Sequence, residues 1–67
     1  MLTYREAKKL LPTGDTVWYL TASGGVAPAI VEEVCDGWLE TSEGILDFDE
    51  HGSTWWLTEH VAKENAT

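Results

Sequence analysis

The segment from Asp47 to Gly52 holds the densest group of candidate metal ligands in the 67-residue sequence. If Asp47 is position one of a calcium-binding loop, Asp49 is position three and Gly52 is position six, where such loops place glycine. Position five is then His51, a poor calcium ligand, and position twelve is Thr58, where the loop needs a bidentate glutamate. The spacing therefore predicts no calcium loop and leaves only weak binding of a divalent cation by clustered carboxylates.

Cys35, the only cysteine, would act as a nucleophile if a histidine base lay beside it. The candidates are His51 and His60, but no helix N-terminus or cationic side chain in the local sequence would lower the thiol pKa. A lone cysteine in an apolar strand is more often a small core residue. A single cysteine also excludes an internal disulfide bond and a four-cysteine zinc site. We therefore predict that the protein is not an enzyme and carries no cofactor or resident metal ion.

The distribution of charge is a stronger signal than any of these motifs. The formal net charge is −8, and between Leu10 and Ala62 there are ten carboxylates but no lysine or arginine. Such a surface repels nucleic acid and anionic lipid and attracts basic protein surfaces. The alternative is that the acidity only keeps a small, tryptophan-rich domain in solution. The candidate partner-binding carboxylates are Asp47, Asp49, Glu50, Glu32, Glu33 and Glu40.

The four tryptophans form the second signal. Trp18–Tyr19 and Trp55–Trp56 are adjacent pairs in predicted strands, so each pair divides between the two faces of a sheet. We expect at least one tryptophan at the surface, where this residue type marks interaction sites. We predict Trp18 and Trp55 as the anchors. The alternative is that the terminal helices cover the second face.

The elements that would position these residues fit one small domain, residues 1–67. Thr3 and Glu6 have the spacing of a capping box at the start of a helix over 3–11. Alternating apolar residues and glycine-containing turns predict five strands over 15–57, and a helical turn follows over 58–64. The predicted strands are 15–21, 26–35, 38–41, 45–49 and 54–57.

The same pattern also predicts a bulge in one strand and the side chains that pack in the core. The strand over 26–35 does not alternate cleanly, which indicates a bulge. Leu46 and Phe48 should point into the core, and Val61 should pack down onto it. The apolar face of the first helix should consist of Leu2, Ala7, Leu10 and Leu11.

The predicted fold class is mainly β, a small five-stranded SH3-like barrel with a short N-terminal helix and a C-terminal helical turn. An OB-like barrel is the alternative, although a strand region of this length is short for one.

Three stretches of this sequence carry a family resemblance: 14–20 (GDTVWYL), 46–49 (LDFD) and 52–59 (GSTWWLTE). They resemble small proteins of bacterial phages and prophages, which carry a GDxVyy strand and end in GkTvFLTxEEA. The resemblance covers residues 14–62. It departs where His60-Val61-Ala62 replaces Glu-Glu-Ala and where Trp55-Trp56 replaces an aliphatic residue and phenylalanine. The resemblance implies an SH3-like fold and an origin in a mobile element.

These observations predict a non-enzymatic binding protein whose acidic surface occupies a basic site on a host protein that handles nucleic acid, with anti-CRISPR inhibitors as the analogy. One alternative is an SH3-like adaptor that binds peptides in a groove of Tyr19, Trp38 and Trp55. Another is a structural or self-assembling phage component, and a homodimer is a further option. We expect no direct contact with nucleic acid or membrane.

The expected location is the cytoplasm of a bacterial host. The sequence has a lone thiol, and its N-terminus lacks the apolar core of a signal peptide. No segment approaches the roughly 18 apolar residues that a membrane helix needs.

Overall fold

Two helices, five strands and one short 3-10 helix follow one another in the computed structural model, which describes residues 2–66. The elements are α1 (Tyr4–Leu10), β1 (Thr16–Leu20), β2 (Val26–Val34), β3 (Trp38–Thr41), β4 (Gly44–Asp47), the 3-10 helix (Phe48–Glu50), β5 (Trp55–Trp56) and α2 (Glu59–Asn65). The predicted order of helices and strands is confirmed, although α2 lies one residue beyond the predicted span 58–64 and the 3-10 helix was not predicted.

The five strands form one curled antiparallel sheet in the order β4-β3-β2-β1-β5. The two edge strands approach each other on the inside of the curl, where the Trp55 indole Nε1–H donates to the Asp47 carbonyl oxygen at 2.7 Å. This half-barrel is compatible with an SH3-like barrel, and the predicted fold class is confirmed.

The concave side of the sheet contains the core. Alternation along each strand sends every second side chain inward, and α1 closes the open side through Leu2, Ala7 and Leu11. Trp55, the largest fully buried residue, lies in this core. The other core members contributed by the strands and the 3-10 helix are Val17, Ala29, Val31, Leu39 and Phe48.

Helix α1 begins with the predicted capping box. The Thr3 hydroxyl accepts from the Glu6 amide at 3.2 Å, and the Glu6 carboxylate accepts from the Thr3 amide at 3.2 Å. These hydrogen bonds from Thr3 lower the pKa of Glu6 below its usual value. The prediction that Leu10 belongs to the buried face is wrong, because Leu10 is 53 % exposed. Leu11, the next residue in the chain, packs in the core instead.

Helix α2 lies on the convex side of the sheet. Its N-cap is Thr58, whose hydroxyl accepts from the Val61 amide at 3.3 Å, and its contacts are with β1, β2 and β5. Ala62 is fully buried, whereas Val61 is 43 % exposed, so the prediction that Val61 packs down is wrong by one position. We call the convex surface of β1 and β5 beneath α2 the covered face; Trp56 lies there and is 2 % exposed. The alternative that a terminal helix covers the second face is thus correct for this part of the sheet.

Strand β2 bends at a bulge, as its sequence predicted. The register with β3 shifts between Val31 and Glu33, and the extra residue is Glu32. Beyond β3, the chain turns at Gly44, whose φ of +120° is a conformation that side-chain-bearing residues rarely adopt. The buried Thr41 hydroxyl donates to the Gly44 carbonyl oxygen at 2.7 Å. These features fix which residues of β2, β3 and β4 share a face.

The fourth strand is shorter than predicted and ends at Asp47. The Asp47 carboxylate accepts from the Asp49 amide at 2.9 Å and so starts the 3-10 helix. Phe48 is the first residue of that helix and remains buried, which confirms its predicted place in the core, and Leu46 is half-buried against the same core.

Candidate functional site

Among residues 2–66, α2 contacts β1, β2 and β5 and α1 contacts β2, whereas neither helix makes extensive contact with β3 or β4. Leu39 and Thr41 point inward and are buried, so Trp38 and Glu40, the alternate residues of β3, point outward. Register places Asp47 opposite Trp38, and it places Ile45 and Glu33 on either side of Glu40. We call this surface the open face; its members are Glu33, Cys35, Trp38, Glu40, Ile45 and Asp47.

Two large apolar side chains of the open face are exposed to solvent. Ile45 is 68 % exposed and Trp38 is 36 % exposed. The Trp38 indole Nε1 lies 3.5 Å from Oε2 of Glu40, at the limit of a hydrogen bond. An exposed aromatic ring with a carboxylate at its edge is suited to contact with a partner that is both apolar and cationic.

The carboxylates of Glu33 and Glu40 converge on the Cys35 thiol. Its sulfur lies 3.6 Å from Oε2 of Glu33 and 3.7 Å from Oε2 of Glu40. Desolvation and the two nearby negative charges raise the pKa of Cys35 to about 11. The thiol is therefore protonated at neutral pH, which is the opposite of what a catalytic or metal-binding cysteine needs.

The negative charge of the open face is not balanced by the described part of the chain. Both ion pairs found within residues 2–66 lie in α2, where His60 pairs with Glu64 and Lys63 with Glu59. Like charges placed directly opposite each other on neighbouring strands destabilise a sheet. The pairing of Glu33 with Glu40 therefore works against folding.

The predicted carboxylates fall into three groups. Glu33, Glu40 and Asp47 are brought together on the open face, and Glu32 is exposed in the adjacent bulge. The last group, Asp49 and Glu50, is exposed in the 3-10 helix just beyond β4.

The two predicted tryptophan anchors differ from the observed arrangement. Trp55 is fully buried, and its indole N–H donates a hydrogen bond to the Asp47 carbonyl oxygen. The prediction that Trp55 is a surface anchor is therefore wrong. Trp18 is half-buried and pairs in register with Trp56 across β1 and β5. The aromatic groove of Tyr19, Trp38 and Trp55 does not form, because Trp55 is inside the barrel while Trp38 is outside.

Trp38 is the most exposed of the four tryptophans, and its exposure could have been predicted from the sequence. In the stretch Trp38-Leu39-Glu40-Thr41, the charged Glu40 marks the solvent side of the strand. Because side chains alternate along a strand, Trp38 must share that side.

A second surface feature is a groove of about 410 Å³ between β5 and α2. Its apolar wall consists of Trp56, Leu57 and Val61, and its polar rim includes His51 and Asn65. The Trp56 indole Nε1 is buried and has no hydrogen-bond partner among residues 2–66. The His51 ring packs on the Trp55 indole, with 4.8 Å between the ring centroids. Burial lowers the pKa of His51 below its usual value.

The segment from Asp47 to Gly52 adopts the 3-10 helix and a following turn. Within residues 2–66, no three His, Cys, Asp or Glu side chains are grouped closely enough to hold a metal ion. The same described range contains no helix that is long and apolar enough to cross a bilayer.

Comparison of the chain with protein-family models, with curated proteins and with solved structures yields no match.

Proposed function

We propose that this is a non-enzymatic binding protein whose open face occupies a basic surface of a protein that handles nucleic acid. One observation carries the proposal: the exposed Trp38 lies beside Glu40 and opposite Asp47, and Glu33 lies opposite Glu40. Neither ion pair found within residues 2–66 involves these carboxylates. Carboxylates placed in this way compete with phosphates for lysine and arginine, and they also speed the encounter.

The resemblance of residues 14–62 to small phage and prophage proteins supports a host protein as the target. The protein would then act in the bacterial cytoplasm as an inhibitor, in the manner of anti-CRISPR proteins, by mimicking the charge of nucleic acid. The free Cys35 thiol is in keeping with a reducing compartment.

The test is capture from a bacterial lysate followed by a displacement assay with the captured protein. The captured protein is bound to a fluorescently labelled DNA duplex, and the anisotropy is followed as our protein is added. We expect release of the duplex, with an apparent affinity that falls as salt rises, because exposed charges are screened.

The decisive variant is Glu33→Lys with Glu40→Lys, which reverses the charge of the open face. Its matched control is Asp15→Lys with Glu64→Lys, which makes the same change in net charge at exposed positions outside that face. Folding of each variant is checked by circular dichroism. We expect loss of displacement in the first variant and near-normal displacement in the second. Equal behaviour of the two variants would overturn the proposal.

A further inference from the structure

We propose that the open face binds an arginine side chain of the partner, held between the Trp38 indole and the carboxylates of Glu33 and Glu40. This inference rests on the proposed function and specifies the chemistry that the partner must bring. The three side chains lie on two neighbouring strands, so the backbone register already holds them in place.

The Trp38 ring offers an aromatic face to a cation. A cation above an indole face is attracted by the π electrons, and the planar guanidinium group also stacks on the ring. The Glu40 carboxylate lies 3.5 Å from the indole nitrogen, at the edge of the same ring. A guanidinium stacked on Trp38 can therefore donate hydrogen bonds to Glu40 without leaving the ring.

The carboxylates of Glu33 and Glu40 suit a guanidinium better than an ammonium. Glu33 and Glu40 are register partners, and the Cys35 sulfur lies between them at 3.6 and 3.7 Å. A guanidinium has five N–H donors in one plane and can serve two carboxylates at once, whereas an ammonium is a compact point charge. Cys35 is uncharged at neutral pH, because its pKa is about 11, and it does not take part in the charge balance.

Among residues 2–66, no lysine or arginine forms an ion pair with Glu33 or Glu40. Lys8 shares the lining of a neighbouring cavity with Glu33, but the two form no ion pair. The Lys8 ammonium instead lies 5.3 Å from the centroid of the Tyr4 ring. Ile45, which is 68 % exposed and opposite Glu40, offers apolar surface to the aliphatic stem of an incoming arginine.

The experiment uses the full chain labelled with ¹⁵N and three capped hexapeptides, Gly-Arg-Gly-Arg-Gly-Arg and its lysine and citrulline counterparts. The indole N–H signal of Trp38, identified by its loss in Trp38→Phe, is followed during each titration. We expect the arginine peptide to bind roughly fivefold more tightly than the lysine peptide, and the citrulline peptide not to bind.

Three variants separate specific recognition from general attraction. In Trp38→Ala, monitored through backbone signals, the preference for arginine over lysine should fall to about one. In Glu33→Gln with Glu40→Gln, binding of both peptides should weaken. Glu64→Gln, an exposed carboxylate of α2, is the matched control and should leave both affinities unchanged.

The outcomes separate this inference from the proposed function. Equal binding of the two peptides, or an arginine preference that survives in Trp38→Ala, overturns the arginine site. The proposed function then still stands if charge reversal of the open face abolishes displacement of DNA. If charge reversal has no effect either, both proposals are wrong.

Discussion

The covered face and the open face are two parts of the same convex surface, and each contains a tryptophan. On the covered face Trp56 is 2 % exposed, and Ala62 of α2 is fully buried nearby. On the open face Trp38 is 36 % exposed, with Glu40 at the edge of its indole and Asp47 opposite it on β4. The strands of both faces are antiparallel, and the two faces differ in their contact with α2, which packs on β1 and β5 but not extensively on β3 and β4.

This comparison separates two uses of tryptophan in a very small domain. A domain of this size buries only about 60 % of the surface that its unfolded chain exposes. Each large apolar side chain that is buried therefore contributes a large share of the free energy of unfolding. Trp55 and Trp56 serve in that way. Trp38 is left at the surface at the expense of stability, and the like-charged pair beside it adds to that cost. We interpret the open face as a surface shaped by recognition.

Truncating one tryptophan on each face should give the largest difference between the two faces in the free energy of unfolding. Trp56→Ala should lower the free energy of unfolding by about 3–5 kcal/mol, since it removes a buried aromatic ring beneath α2. Trp38→Ala should lower it by less, about 1–2 kcal/mol, because Trp38 is already 36 % exposed in the folded protein. Equilibrium unfolding in urea measures both. Similar losses in the two variants would show that the faces do not differ in stability.

The second effect concerns the reactivity of Cys35 on the open face. Its pKa of about 11 leaves little thiolate at pH 8, so alkylation by iodoacetamide should be roughly a hundredfold slower than for free cysteine. The rate should rise about tenfold for each pH unit, because only the thiolate reacts. Glu33→Gln with Glu40→Gln should speed the reaction, since it removes two charges that disfavour the thiolate. The protein unfolded in urea is the control and should react like free cysteine. A wild-type rate equal to that control would contradict the placement of Cys35 between the two carboxylates.

The smallest effect is a gain in stability. Glu40→Gln removes the like-charge pair with Glu33 and should raise the free energy of unfolding by a few tenths of a kcal/mol. The gain should shrink as salt rises, because the repulsion is screened. Urea unfolding at two salt concentrations measures this change. Glu59→Gln is the contrasting variant, since it breaks the ion pair with Lys63 and should cause a slight loss. A loss of stability in Glu40→Gln would mean that this carboxylate supports the fold.

Much of the architecture could be predicted from the sequence because local signals agree with the tertiary structure. The capping box at Thr3, the bulge in β2 and the inward position of Phe48 all follow from spacing or alternation. The end of β4 was missed because the Asp47 side chain caps a 3-10 helix, and that competition between local hydrogen bonds and strand pairing is not visible in a period-two pattern.

The site was only partly predictable for a different reason. Three of the predicted carboxylates, Glu33, Glu40 and Asp47, share the open face because cross-strand register brings them together. The anchors were wrong or incomplete because alternation shows that Trp55 and Trp56 point to opposite faces but does not show which faces are covered. That depends on where α2 packs, which is a long-range property of the folded chain.

The hydrogen bond from the Trp55 indole to the Asp47 carbonyl oxygen at 2.7 Å has a consequence for how the protein behaves at high concentration. An unprotected outermost strand is a template on which further molecules add and polymerise into fibrils. In this protein the Asp47 carbonyl oxygen, at the end of the edge strand β4, already accepts a hydrogen bond from Trp55 of the same molecule. It is therefore not free to pair with a strand of another molecule. A single indole ring thus contributes both to the interior and to protection against aggregation.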